Sequence, residues 1–145
     1  MSVITASTPT GGASRRGLSA SLWIVQILLG VAFFTTGTMK LTQPLELLAA
    51  NMPWVTASPA WLVRFIGVAE LAGAIGLVLP SVTRVAPRLT SLAAIGLVII
   101  MVLASCVHLS RGEVGILPAT FLLAGLAAFV AWGRGVAVPI VARSR

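Results

Sequence analysis

The sequence is organised around residues 61–80, which read WLVRFIGVAELAGAIGLVLP. The segment is long and apolar enough to cross a bilayer as a helix, yet it carries Glu70 near its midpoint. About nine residues separate Trp61 from Glu70, so at ~1.5 Å of rise per residue the carboxyl group lies roughly 14 Å along the helix. That depth is close to the middle of a hydrocarbon core of ~30 Å. Because an ionisable group there costs at least ~2.5 kcal/mol, we expect the other helices to give Glu70 a partner or a wet cavity.

Composition places the chain among integral membrane proteins. Of its 145 residues 58% are hydrophobic and only 9% are charged, and the mean hydropathy is +1.05. A soluble domain of this size needs far more polar surface. The net charge of +7 comes from basic residues scattered between apolar segments. We therefore expect the lipid bilayer, and no nucleic acid, as the partner of this charge.

The supply of ligating side chains is small. A single Cys excludes an internal disulfide and a CxxC redox pair. One His, no Tyr and three acidic residues argue against a metal site built by the protein alone and against two-His haem ligation. We expect no metal and no redox centre in the chain itself.

The apolar segments predict an all-α, integral membrane four-helix bundle. The predicted transmembrane domain covers residues 20–134, with spans at about 21–41, 61–79, 89–109 and 114–132, and Pro80 is expected to close the second span. Residues 1–19 are predicted to form a disordered cytoplasmic N-tail and residues 135–145 a cytoplasmic C-tail. Between the first two spans we expect a short helix in the membrane interface, ending near Asn51.

The distribution of Lys and Arg predicts the orientation. Three basic residues lie on one side, Lys40, Arg64 and Arg111, whereas seven lie in or next to the N-tail, the second loop and the C-tail: Arg15, Arg16, Arg84, Arg88, Arg134, Arg143 and Arg145. The positive-inside rule therefore places both termini in the cytoplasm. The four Trp residues agree, because two fall at each predicted membrane boundary.

Polar residues of three spans are predicted to meet near the outer end. Small residues flank Glu70 on the second span, glycines share a helix face with Lys40 on the first, and His108 lies at the outer end of the third. We predict an outward-opening polar pocket that contains Lys40, Glu70 and His108, with Arg64 and Arg111 at its rim.

The roles of Glu70, Lys40 and Arg64 stay open. Glu70 is either a proton carrier or ligand anchor, or one half of an ion pair with Lys40 or Arg64 that holds two helices in register. Lys40 either joins this pair or extends its ammonium group to the membrane surface. Arg64 is interpreted first as an interfacial anchor and second as a pocket residue.

The outer end of the third span offers further candidates. His108 either moves protons or contacts a quinone carbonyl, or it simply caps the helix. Cys106 lies roughly 200° around the helix from His108, which is poor geometry for a nucleophilic dyad, so we interpret it as a packing residue. Arg111 and Glu113 form either a solvated turn or a contact surface for a partner.

Three stretches carry a family resemblance. They are residues 30–41 (GVAFFTTGTMKL) with the following Pro44, residues 64–80, and residues 108–113 (HLSRGE). Together they resemble the DoxX/DoxD-like family of small four-helix bacterial membrane proteins, and especially its DoxX-like branch. The resemblance implies a multi-pass protein of the bacterial cytoplasmic (inner) membrane with both termini inside. Some family members are linked to redox chemistry, including a thiosulfate:quinone oxidoreductase subunit, and distant relatives help other membrane proteins to assemble.

Two hypotheses of function follow, and whether the chain is an enzyme stays open between them. The first is a redox-associated subunit that binds quinone or a small substrate in the outward pocket, with Glu70 handling protons and a redox partner protein holding the cofactor. The alternative is a non-enzymatic assembly, chaperone or scaffold protein, in which Glu70 pairs with a basic residue of this chain or of a client. A small transporter is a third hypothesis that requires a homo-oligomer, for which the glycine-rich helix faces are suited.

Overall fold

The computed structural model describes residues 10–144, in which all regular secondary structure is helical and no strand occurs. The five α-helices are α1 (Thr10–Thr42), α2 (Leu45–Asn51), α3 (Ala60–Thr83), α4 (Arg88–Ser110) and α5 (Leu117–Trp132). Short 3-10 turns precede α3 and α5, at Pro53–Ala57 and Val114–Ile116, and a π-helical turn at Gly133–Ala137 extends α5. The predicted all-α class is confirmed.

Four segments are long and apolar enough to cross a membrane. They are Gly12–Thr42, Ala60–Thr83, Arg88–Ser110 and Val114–Ala137, with mean hydropathies from 1.9 to 2.6. The four predicted spans are therefore confirmed as apolar helices. A short helix, α2, also stands between the first two spans. Its position in the membrane interface and the cytoplasmic location of both termini stay predictions.

Helix α1 starts earlier than the sequence pattern suggested. It begins at Thr10 rather than near residue 21, so residues 10–19 of the predicted disordered tail are helical. Extending an existing helix adds one hydrogen bond for each residue fixed, and this stretch contains no proline to stop it. Residues 1–9 of the predicted tail lie outside the described residues.

Helix α3 continues through Pro80, which was expected to close it. A proline lacks the N–H that the preceding turn needs, and neighbouring polar groups commonly compensate in membrane helices. The carbonyl that loses its donor is that of Gly76, and the Gln26 side chain donates to the adjacent Leu77 carbonyl at 2.7 Å, which ties α3 to α1 at this turn. The helix ends only at Thr83, where Arg84 adopts a left-handed conformation with φ of 58°. The last span also exceeds its prediction, because the π-helical turn carries it into the predicted C-tail.

The bundle is built by sequential packing of α1 on α3, α3 on α4 and α4 on α5, with α5 returning to α1. Its main core consists of buried apolar side chains from all four spans: Leu29, Phe33, Ala74, Leu77, Ala94, Leu97, Met101, Ala127 and Val130. A smaller cluster of Leu48, Val55 and Val63 fixes α2 and the first 3-10 turn to α3.

The bundle carries a polar cluster at each of its two ends. At one end, the termini end, Arg134 contacts Ser19 of α1 and the Arg143 backbone N–H donates to the Arg84 carbonyl at 3.0 Å. At the other end, the α2 end, Arg111 in the turn after α4 donates to the Pro53 carbonyl at 3.2 Å. The two ends carry separate polar clusters.

Candidate functional site

Lys40 and Glu70 form a buried ion pair between α1 and α3. The Lys40 ammonium nitrogen lies 2.7 Å from Glu70 Oε2 and 2.9 Å from Oε1. The Thr36 hydroxyl also donates to Oε2, at 3.1 Å. Only 6% of the Lys40 side chain and 5% of the Glu70 side chain are exposed. The acid in the middle of α3 is thus partnered within its own chain.

Close helix packing positions this pair. Gly37 precedes Lys40 by three residues on α1, and Gly67 precedes Glu70 by three on α3, so each glycine shares a face with its charged neighbour. A Cβ atom on Gly67 would lie 2.9 Å from the Lys40 Cβ. The absence of that atom lets the Lys40 stem cross the helix interface and reach the carboxylate.

Arg64 lies on the same helix as Glu70 but binds the end of α1 instead. Its Nη1 donates to the Lys40 carbonyl, and its Nη2 donates to the Gln43 carbonyl at 2.9 Å. Carbonyls in the last turn of a helix lack intrahelical donors and carry the negative end of the helix dipole. Arg64 therefore caps α1 and fixes the chain that leads into α2.

His108 joins a second cluster, at the turn between α4 and α5. Its Nδ1 lies 2.6 Å from Glu113 Oε2, and Arg111 Nε donates to Oε1 of the same carboxylate at 2.7 Å. The hydrogen bond from Arg111, and then the one from His108, lower the pKa of Glu113 below its ordinary value. Because Arg111 also bonds Pro53, this cluster fastens the turn to the first 3-10 segment.

The structure divides the predicted polar pocket into two parts. Lys40 and Glu70 form one part with Arg64 beside them, and His108, Arg111 and Glu113 form the other. Among the described residues no hydrogen bond or ion pair joins the two parts. The reason lies in the turn after α4, which folds Glu113 back onto His108 and so supplies a nearer partner than Glu70.

A third polar cluster, at the termini end, was missed from the sequence. Gln26 is fully buried, donates to the Leu77 carbonyl and to Ser81 Oγ at 2.7 and 3.2 Å, and accepts from Arg134 Nε at 2.6 Å. Ser81 in turn lies 2.8 Å from the Thr90 hydroxyl. The available signal was an amide inside an apolar span, since such residues usually face the bundle interior.

The chemistry open to these groups is limited by their mutual pairing. Lys40 donates to both oxygens of Glu70, so two of its three ammonium hydrogens are engaged within the pair. Cys106 is exposed on α4. The described part of the chain contains no group of three or more His, Cys, Asp or Glu side chains suited to hold a metal ion.

A comparison with protein-family models finds a match to this chain. The family described as the DoxX-like family matches residues 24–131, which include Lys40, Arg64 and Glu70. No curated protein and no solved structure matches the chain.

Proposed function

The chain belongs to the DoxX-like family of membrane proteins, and from this premise we propose that it is a non-enzymatic assembly or scaffold protein. In this proposal the Lys40–Glu70 pair fixes the shape of a bundle that other membrane proteins recognise. The protein acts in the bacterial cytoplasmic membrane, with both termini in the cytoplasm and α2 in the outer interface. A protein partner, or a second copy of the chain, binds the lipid-facing surface.

The observation that carries this proposal is that Lys40 and Glu70 compensate each other's charge inside the bundle. Both side chains are almost wholly buried, and each neutralises the other at hydrogen-bonding distance. Breaking a buried ion pair costs about 3–5 kcal/mol because it leaves an uncompensated charge, whereas replacing both members by apolar groups is often nearly neutral. A pair with a purely structural role is therefore replaceable as a unit.

A second candidate is the redox-associated subunit, and the Thr36 contact favours it. The Thr36 hydroxyl and the Lys40 ammonium group bind the same carboxylate of Glu70. If Glu70 took up a proton, Thr36 would remain its hydrogen-bond partner. Lys40 would then be free to donate to a quinone carbonyl or to an oxygen of a small substrate. In this candidate a partner protein holds the redox cofactor, and Glu70 carries the proton.

One set of variants separates the two candidates. Glu70→Gln breaks the pair, and the double variant Lys40→Met with Glu70→Met removes both charges while keeping similar volumes. Glu46→Gln, on the exposed face of α2, is the matched control for loss of one carboxylate. Quinone reduction is first measured in the native membranes. Each protein is then crosslinked and purified gently, and its partners, extracted quinones and visible spectrum are compared with those of the unchanged protein.

The scaffold proposal expects the double variant to keep the crosslinked partners that Glu70→Gln loses. The redox candidate expects both variants to lose quinone reduction in membranes even where the bundle stays folded. A double variant that folds and keeps its partners but no longer supports quinone reduction would therefore overturn the scaffold proposal.

A further inference from the structure

Within residues 10–144, Arg134 carries a buried charge that no carboxylate neutralises. The residue is only 5% exposed, and its Nη2 has no hydrogen-bond partner among the described residues. All three acidic residues of the chain lie elsewhere: Glu46 on α2, Glu70 in the helix pair and Glu113 in the turn cluster. A buried guanidinium group without a counterion is costly, which makes an additional partner the expected solution.

The neutral neighbours of Arg134 satisfy it only in part. Its Nε donates to Gln26 Oε1 at 2.6 Å, and its Nη1 lies 3.4 Å from Ser19 Oγ. Its guanidinium carbon lies 5.2 Å from the centre of the Trp23 ring, within the range of a cation–π contact. These contacts orient the guanidinium group but add no negative charge.

A partly open cavity of about 340 Å³ adjoins Arg134 at the termini end. Arg84, Ser19 and Ser81 contribute polar side chains to its wall, while Trp23 and residues 138–141 contribute a largely apolar wall. Arg84 is exposed and belongs to the loop between α3 and α4. The cavity thus combines two guanidinium groups and two hydroxyls with a surface suited to hydrocarbon.

We propose that this cavity binds a phosphate-bearing anion, with Arg134 as its buried anchor and Arg84 at its mouth. Guanidinium groups match the oxygens of phosphate in geometry and charge, and a phosphate has enough acceptor oxygens for the hydroxyls as well. Basic pockets between transmembrane helices are typical sites for acidic lipid headgroups. The phosphate belongs either to such a headgroup, with the apolar wall contacting its glycerol and acyl part, or to a free phosphate ion.

The two sources are distinguished with defined probes. The purified full-length protein is titrated with phosphatidylglycerol, with zwitterionic phosphatidylcholine and with inorganic phosphate. Retained adducts are counted by native mass spectrometry, and the thermal midpoint is followed because a ligand that binds only the folded state raises it. Stabilisation by phosphatidylglycerol alone identifies a lipid headgroup, and comparable stabilisation by inorganic phosphate identifies the free ion.

Two matched pairs of variants test the site itself. Ser19→Asp places a carboxylate beside Arg134. Ser19→Asn is its control, because an Asn side chain has nearly the shape of an Asp side chain without the charge. Arg84→Gln removes the cation at the mouth, and Arg88→Gln removes a nearby exposed cation, the first residue of α4, that does not line the cavity. Losing or neutralising a charged partner of the anion is expected to weaken binding about ten-fold or more in Ser19→Asp, Arg84→Gln and Arg134→Gln.

Arg88→Gln is expected to bind as the unchanged protein does, and Ser19→Asn is expected to bind the anion several-fold more tightly than Ser19→Asp. If Arg134→Gln does not fold, the comparison of Ser19→Asp with Ser19→Asn decides alone. The proposal is overturned if neither phosphatidylglycerol nor inorganic phosphate binds, or if zwitterionic phosphatidylcholine binds as tightly as phosphatidylglycerol. It is also overturned if Ser19→Asp retains the anion at full affinity.

Discussion

Gly37 and Gly67 face each other where α1 crosses α3, so closely that a Cβ atom on Gly37 would lie 2.9 Å from the Gly67 carbonyl oxygen. The same crossing places Lys40 opposite Glu70. The glycine faces that suggested a homo-oligomer are therefore used inside the chain at this crossing, and a second copy would have to bind another surface.

Gly37→Ala should destabilise the bundle by about 1–3 kcal/mol, because the new methyl group meets backbone atoms that cannot move aside without separating the helices. Thermal unfolding in mild detergent measures the loss. Gly96→Ala is the control, since nothing lies within 4 Å of its Cβ position on α4. It should be neutral or stabilising by up to ~1 kcal/mol through helix propensity. Equal effects of the two substitutions would show that the crossing is not tight.

Glu70→Gln should destabilise the protein by about 3–5 kcal/mol, because it leaves the Lys40 ammonium group buried without a counter-charge. The double variant Lys40→Met with Glu70→Met should recover most of this loss. Unfolding midpoints of both variants and of Glu46→Gln give the comparison. A double variant no more stable than Glu70→Gln would mean that the two charges stabilise the fold beyond neutralising each other.

The sequence predicted that Glu70 needs a partner and that Lys40 faces inward, but it did not decide which basic residue pairs with Glu70. The position of Glu70 within an apolar span required accommodation by the bundle, and the spacing of Gly37 and Lys40 indicated that Lys40 faces inward. The choice between Lys40 and Arg64 depends on how far α1 is shifted along α3. That shift is set by packing between residues 30 positions apart, which no local pattern records.

The termini end shows the same limit more clearly. Gln26 was visible as an amide in an apolar span, yet its partner Arg134 lies 108 residues away. Arg134 was counted only as a basic residue near a predicted helix end. Pro80 was taken as a helix terminator because the packing of other spans that supports the helix beyond it is not visible in the local sequence.

Arg64→Lys should weaken the end of α1 although it keeps the charge. A guanidinium group reaches the Lys40 and Gln43 carbonyls with two separate nitrogens, whereas an ammonium group is a single point donor. Loss of one charge-assisted hydrogen bond is expected to cost about 1.5–3 kcal/mol. Hydrogen exchange should speed up in the last turn of α1 and in α2, and stay unchanged in α5. Faster exchange throughout the bundle would indicate a general packing defect instead.

The Arg111–Glu113–His108 cluster should make stability depend on acidic pH. Its hydrogen bonds lower the pKa of Glu113 below the ordinary value of 4.5, so the carboxylate stabilises the folded turn above that value. The stabilisation should be lost as the pH falls below 4.5 and through the lower folded pKa. Thermal midpoints between about pH 6 and about pH 3 should therefore fall less steeply in Glu113→Gln than in the unchanged protein. Glu46→Gln, which alters an exposed carboxylate outside the cluster, should keep the original slope. Identical slopes in all three proteins would show that the turn does not hold Glu113 in its charged form.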